Sequence, residues 1–244
     1  MTETIDGDKA VVTGASSGIG RETALALARA GVDVALAARR EERLEELAER
    51  IENETEAEAV VVPTDVRAED DVDALIETAV DSFGRLDVLV NNAGLVVGQD
   101  VEELPTSEYR AMMETNADGM FFATRAALPY LRDSGGTIVF IGSFAGQYPR
   151  SYNPVYAATK WWARGFAQSV AAEAAGDIAV TTINPSEVRT EIAAQTGKSF
   201  EERFDEGEAI EPEEVADAVV FAAEQDNAMV SELDLYRRDK FDVF

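Results

Sequence analysis

Short apolar runs alternate with stretches of helical periodicity along most of this chain, and that alternation limits what it can fold into. Lys9–Thr13, Asp33–Ala38, Ala59–Pro63, Leu86–Val90, Thr137–Ile141 and Ala179–Ile183 read as strands. Between them, Gly18–Ala30, Glu41–Glu52, Asp70–Phe83, Ser107–Leu131 and Pro154–Ala174 read as helices, the second with Leu44, Leu47 and Ile51 on one face. Apolar strands separated by helices predict βαβ units around a parallel sheet buried on both faces. The expected class is α/β: one doubly wound sheet of about seven strands with helices on both sides. No repeat, low-complexity tract or Pro/Gly/Ser linker interrupts residues 1–244, so a single domain is expected.

Composition removes whole classes of chemistry. There is no cysteine and no histidine, which excludes disulfides, thiol nucleophiles, imidazole triads and the usual zinc ligand sets, so no metal site is expected. Proton transfer is left to carboxylates, Lys, Tyr, Ser and Arg. The formal charge of −27 repels phosphate backbones and acidic membranes, so neither nucleic acid nor a membrane is an expected partner. The first residues lack a basic-then-apolar leader pattern, and no run approaches the roughly 18 apolar residues of a membrane span, which together predict a cytoplasmic protein. The acid is dispersed along the chain, and only Lys9, Lys160, Lys198 and Lys240 are lysines. That balance suggests a surface adapted to a high-salt, halophilic cytoplasm, with an acidic mesophilic protein as the alternative.

The turn after the first strand reads as a phosphate cradle. Thr13-Gly14-Ala15-Ser16-Ser17-Gly18-Ile19-Gly20 lies between a strand and a helix. Glycines there let the backbone turn sharply and approach a pyrophosphate, whose charge faces amides at the helix N-terminus. The spacing is Gly-x-x-x-Gly-x-Gly, and the Gly-Lys-Ser/Thr of a P-loop is missing.

Further motifs follow in order: Asn91-Asn92-Ala93-Gly94 after the fourth strand, Asn116 in the long helix, and Ser143 after the fifth strand. Tyr156-Ala157-Ala158-Thr159-Lys160, Asn184-Pro185 and Thr190 come after these. Together with residues 13–20 they resemble the signature set of the short-chain dehydrogenase/reductase family. The resemblance implies a Rossmann-type fold and an NAD(P)-dependent enzyme acting on a small alcohol or carbonyl substrate. It implies Asn116, Ser143, Tyr156 and Lys160 as catalytic residues. It implies cofactor contacts at Gly14, Ser16, Ser17, Gly18, Ile19, Gly20, Asp65, Val66, Asn92, Ala93, Gly94, Tyr156, Lys160, Pro185, Val188 and Thr190. It further implies that Lys160 holds a nicotinamide ribose, that Asn116 organises a water linking Lys160 to solvent, and that subunits pair, as a homotetramer, through the long helix and the catalytic helix. Ala157, Ala158, Ala163 and Ala167 offer small side chains for such pairing, though an intramolecular core would use them equally well.

The residue types suit hydride chemistry. Alcohol oxidation needs a base for the hydroxyl proton; a tyrosine with pKa near 10 serves only if its phenolate is favoured by about 4 kcal/mol. An ammonium from Lys160, one helical turn away, and an oxidised nicotinamide would both do so. Ser143 can hydrogen-bond the substrate oxygen. The Tyr-x-x-x-Lys pattern recurs at Tyr236/Lys240, on a charged C-terminal segment expected to be mobile surface, so Tyr156 is taken as the functional copy.

The end of the second strand, Ala37-Ala38-Arg39-Arg40, carries two guanidiniums and no carboxylate. An acid there would bind the ribose 2′-hydroxyl of NAD, whereas Arg suits the 2′-phosphate, so NADP(H) is expected over NAD(H). Pairing of Arg39 and Arg40 with Glu41, Glu42 or Glu45 is the alternative. Two departures from the family pattern stand out: Pro185-Ser186-Glu187 where Pro-Gly is common, and MVSELDLYRRDKF in place of a Gly-rich last strand. Residues 191–210 are expected as a substrate lid, with Phe200, Phe204 and Ile210 either covering a ligand or serving as ordinary helix-face packing. Trp161 and Trp162 read as core or subunit contacts. A catalytically quiet NADP(H)-binding sensor is the alternative function; a complete Ser143–Tyr156–Lys160 set argues against it.

Overall fold

The computed structural model describes residues 5–192 and 198–241. Seven strands form one parallel sheet: β1 (Lys9–Thr13), β2 (Asp33–Ala38), β3 (Ala59–Pro63), β4 (Val88–Asn91), β5 (Thr137–Ile141), β6 (Ala179–Pro185) and β7 (Glu232–Leu235). Their order is β3-β2-β1-β4-β5-β6-β7, so the winding direction reverses between β1 and β4. Alternation along β1 shows why the sheet is apolar on both faces. Ala10 and Val12 enter one core with α1 (Gly18–Arg29), α2 (Glu41–Glu54) and α7 (Pro212–Ala223). Val11 enters the other, with α3 (Glu69–Phe83), α5 (Gly119–Ser134) and α6 (Pro154–Ala174).

Local chemistry accounts for the helix ends. In α2, Glu41 and Glu42 sit at the positive N-terminus, while Leu44, Leu47, Ala48 and Ile51 recur at helical spacing and are buried. The helix α7 opens with Pro212 at its first turn and a capping box, in which the Glu214 carboxylate accepts the Glu211 N–H at 2.9 Å.

Three sequence expectations need correction. The continuous helix expected over Ser107–Leu131 is interrupted: α4 (Thr106–Met113) passes through a π-helical turn, Glu114–Asp118, before α5 begins. The wider turn accompanies the inward pull of Asn116, whose side chain bonds both backbone groups of Leu95. The C-terminal segment, as far as residue 241, is folded against the body of the protein rather than loose on its surface. It contains β7, paired with β6 from Thr182↔Glu232 to Pro185↔Leu235, and then a folded turn. The acidic lettering of Glu232-Leu233-Asp234-Leu235 hid this strand, because both carboxylates have partners within the fold: Arg164 Nε donates to Glu232 at 2.7 Å and Asn184 Nδ2 to Asp234 at 3.0 Å. Ile210, expected on a lid, is buried in the core and bridges Val188.

The alanines of α6 mostly serve the fold. Ala157, Ala163 and Ala167 are buried within this chain, and of the four expected at a subunit contact Ala158 alone is exposed. Trp162 stacks on Phe166 at 4.8 Å, whereas Trp161 is 47% exposed.

Candidate active site

The carboxyl ends of β1 and β4 separate where the winding reverses, and a cavity of about 910 Å³ opens there. Every site residue expected from the sequence lines it except Gly20 and Asn116, which lie just behind its wall. Its floor is the Gly-rich turn. Gly14 has φ +69°, and a Cβ there would stand 2.8 Å from Asn92 Nδ2; at Gly20 the same atom would be 2.4 Å away. Glycine is therefore needed for the turn to seat on Asn92, which donates to Thr13 O at 2.8 Å and Gly14 O at 3.3 Å. Ala93 and Gly94 continue the floor, and Pro185, Val188 and Thr190 form the facing wall. Val66 is buried at the rim, and Asp65 is paired with Arg67, which holds its carboxyl below the usual range.

Opposite ends of the cavity differ in chemistry. One end gathers Arg39, Arg40 and Arg43. Arg40 donates from Nε and Nη2 to Ser16 Oγ, at 3.1 and 2.9 Å, and from Nη2 to Ser17 Oγ at 2.7 Å. Neither Arg39 nor Arg40 pairs with Glu41, Glu42 or Glu45 among the described residues; Arg39's charge acts on Asp65, and Arg40 turns to Glu191. Arg43 and Glu191 were missed by sequence reasoning. Arg43 lies in the first turn of α2, three positions after Arg40 at the helix boundary, but Glu191 is 151 residues from Arg40 and carried no signal.

The other end holds Ser143, Tyr156 and Lys160. Ser143 follows β5 in extended backbone and caps a short 3₁₀ turn, its Oγ accepting the Ala145 N–H at 3.1 Å. Tyr156 and Lys160 project from consecutive turns of α6, with Lys160 Nζ 5.9 Å from the Tyr156 ring centre. The phenol's hydroxyl end is desolvated, which pushes its pKa up; a hydrogen bond with Ser143 and the Arg150 charge oppose that. Lys160 is only 4% exposed and donates to Ile141 O at 2.8 Å. Burial lowers its pKa to about 8. Asn116 Oδ1 accepts the Leu95 N–H at 2.7 Å, and Nδ2 donates to Leu95 O at 2.8 Å and Thr159 Oγ1 at 3.0 Å. Both amide hydrogens are thereby committed, so only the oxygen's second lone pair remains for a water. A Cβ at Gly94 would lie 3.7 Å from Asn116 Oδ1 and 3.9 Å from Lys160 Nζ, which locates the two beside one another.

The second Tyr-x-x-x-Lys copy has a different geometry. Tyr236 donates to Gln147 and packs edge-on against Phe144 at 5.2 Å, while Lys240 pairs with Glu187. Glu187, standing where glycine is common, is also 3.6 Å from Arg150. Tyr236 and Lys240 thus brace the segment that follows Ser143, and Tyr236 is far from mobile surface. Phe204 lies outside the main cavity, under Arg237, whereas Phe200 lines the cavity. The remainder of the expected lid, residues 193–197, lies outside the described residues.

The family model for short chain dehydrogenases matches residues 8–200. The chain belongs to this family. It is 36% identical over 219 residues to an uncharacterized oxidoreductase of Staphylococcus saprophyticus, covering 87% of this chain and 88% of that protein. Among solved structures it resembles the alcohol dehydrogenase from the archaeon Thermococcus sibiricus complexed with 5-hydroxy-NADP, with a TM-score of 0.87, 32% identity, and coverage of 93% of this chain and 95% of that one. It also resembles the 3-ketoacyl-(acyl-carrier-protein) reductase from Brucella melitensis complexed with NADH, with a TM-score of 0.86, 29% identity, and coverage of 95% and 98%. As a short-chain dehydrogenase this protein is an oxidoreductase built on a Rossmann-like sheet, and none of its described helices is long and apolar enough to cross a membrane.

Lys160 gives a test that separates stability from catalysis. Below pH 8 the lysine is charged in both folded and unfolded chains, and the full cost of burying its charge is present. Between about 8 and 10.5 the folded chain releases its proton first, so this cost fades as pH rises. That gap corresponds to about 3 kcal/mol, from which roughly 1 kcal/mol is lost with the Ile141 hydrogen bond. Lys160→Met is expected to raise the melting temperature of the ligand-free protein at pH 7 by roughly 4–8 °C, with the gain shrinking toward pH 10. A lower melting temperature at pH 7, read by calorimetry, would show that the buried charge is compensated in some other way.

Proposed function

We propose that this short-chain dehydrogenase is an NADP(H)-dependent enzyme interconverting a secondary alcohol and a ketone, or an aldehyde and its alcohol. The observation that carries this reading is the single cavity with an arginine cluster at one end and Ser143, Tyr156 and Lys160 at the other. The donors fit a phosphorylated dinucleotide: Gly14 and Gly20 leave backbone room at the turn, Arg39 and Arg40 offer forked donors beyond β2, and the Lys160 ammonium stands near Gly94. Ile19, Gly18, Asn92, Ala93, Val188 and Thr190 would line the groove between these ends. A bound nicotinamide would supply or accept the hydride.

The chain's own residues handle the proton. In reduction the Tyr156 phenol donates its proton to the carbonyl oxygen while Ser143 hydrogen-bonds that oxygen; in oxidation the Tyr156 phenolate accepts the hydroxyl proton. The raised pKa keeps Tyr156 a phenol in the ligand-free protein, the form ready for reduction. Oxidation needs phenolate, which the Lys160 ammonium and the positive charge of an oxidised nicotinamide would favour. Asn116 fixes Leu95 and Thr159, and so holds the β4 loop against α6 beside Lys160.

We also infer a homotetramer in a high-salt cytoplasm. Trp161 on α6 and Phe121 on α5 are exposed aromatics on the two helices that would pair, and the dispersed acid suits solvation at high salt. Light scattering in multimolar KCl that finds only an active monomer would overturn the assembly.

Turnover of NADPH with a panel of ketones, aldehydes and 3-oxo esters, at low and multimolar KCl, tests the activity. Tyr156→Phe is expected to lower turnover at least about a hundredfold while leaving NADPH binding nearly intact; equal turnover would remove Tyr156 from its role. Arg40→Ala and Arg39→Ala are each expected to raise the apparent KM for NADPH roughly 10–150-fold, and far more than that for NADH. Equal responses of the two cofactors at one fixed KCl concentration would remove the NADP assignment and leave the dehydrogenase reading standing.

A further inference from the structure

A carboxylate from far along the chain reaches the arginine end of the cavity, where Asp65 already pairs with Arg67. Glu191 accepts two hydrogen bonds from Arg43 Nη1, at 3.0 Å on Oε1 and 2.9 Å on Oε2, and one from Arg40 Nη1 at 3.2 Å. It is not a chance neighbour on the same helix. It lies beyond β6, on backbone fixed by the Val188–Ile210 bridge and the Arg189 N–H to Ile210 O bond of 2.8 Å. Arg43 and Arg40, in that order, hold its carboxyl below the usual range.

The division of labour on Arg40 is informative. Its Nε and Nη2 are spent on Ser16 and Ser17, which fix the plane of the guanidinium; its Nη1 reaches the carboxylate. If Glu191 left, Arg40 would keep its orientation and present Nη1 to another anion at no further ordering cost. Arg43 would present a second donor beside it. Two cationic donors at the start of α2, one of them held in place, suit a phosphate monoester, and a dianion could not share them with Glu191 without like-charge repulsion.

We propose that Glu191 is an internal counter-anion that competes with the cofactor's 2′-phosphate for Arg40 and Arg43, and thereby sets how strongly the enzyme prefers NADP(H) over NAD(H). This deepens the NADP(H) reading above and rests on it. Glu191 lowers the affinity for the phosphorylated cofactor by the fraction of time it holds the arginines, and leaves a cofactor with a free 2′-hydroxyl unaffected. Arg43 becomes a third specificity residue, beside Arg39 and Arg40. Such a device also keeps the arginine cluster of a strongly acidic protein from capturing unrelated anions.

The test uses equilibrium binding of two adenosine probes, 2′,5′-ADP and 5′-AMP, to the whole ligand-free chain by titration calorimetry at low ionic strength, with no turnover involved. The native chain is expected to bind 2′,5′-ADP more tightly than 5′-AMP. Glu191→Gln, a shape-preserving change at a half-exposed side chain, is expected to tighten 2′,5′-ADP roughly three- to tenfold, which corresponds to arginines free about a tenth to a third of the time. The 5′-AMP Kd should move less than about twofold. Arg43→Ala should weaken 2′,5′-ADP selectively. A native preference for 2′,5′-ADP that Glu191→Gln leaves unchanged, or narrows, would overturn the counter-anion role alone. No native preference between the probes would overturn the 2′-phosphate reading itself, and this proposal with it.

Discussion

A buried threonine ties together the two strands between which the site opens. Thr13, at the end of β1, donates from Oγ1 to Val90 O at 3.1 Å and accepts from the Asn92 and Ala93 N–H groups at 3.0 and 3.1 Å. It joins the paired strands β1 and β4 where sequence order reverses, and takes up the Ala93 amide as well as sharing that of Asn92 with Val90 O. Asn92 returns the favour by bonding Thr13 O and Gly14 O. The Gly-rich turn, the β4 loop and the cavity between them are set by this one small cluster, and burial makes each of its bonds costly to lose. Everything downstream, from the arginine cluster to Lys160, is positioned relative to it.

Electrostatics run against the chain's average. With a net charge of −27, the molecule still gathers three arginines at one end of its cavity and buries an ammonium at the other. Lys160 is desolvated and answered by a carbonyl, a partner that lowers the cost of its charge without cancelling it. The phenol beside it, by contrast, is held in the neutral form that burial prefers. Burial moves the pKa of both groups from the solution value, upward for the phenol and downward for the lysine, a pattern associated with proton-transfer sites and opposed to maximal stability.

Much of this was legible in the sequence for a physical reason: the decisive signals were local. Strands β1 to β6 announce themselves as apolar runs, and Gly14, Gly18 and Gly20 mark a turn that admits nothing larger. Tyr156 and Lys160 share a helix face by spacing alone. What escaped depended on partners far along the chain. Strand β7 looks polar until Arg164 and Asn184 are seen beside Glu232 and Asp234. The π-helical turn at Glu114–Asp118 follows from what Asn116 reaches across to, and no periodicity encodes that. Glu191 meets Arg40 and Arg43 only once β6 has been laid beside β5. Tyr236 was read as tail because its supports, Phe144 and Gln147, lie more than eighty positions earlier.

Those distant supports bear on how the molecule is made. The segment after Ser143 is braced by Tyr236 and, through Glu187, by Lys240, and β6 is flanked on its outer side by β7. During synthesis, residues 143–160 leave the ribosome long before residues 232–240 exist to support them. The Gly-rich turn and β1 to β5 can assemble as they emerge, but the wall around Ser143 must wait for almost the last part of the described chain. Closing that wall is a late, long-range step, slow in the way that non-local pairing is slow. Until then the nascent chain exposes the apolar edge of β6, and the acid dispersed along it keeps such intermediates apart.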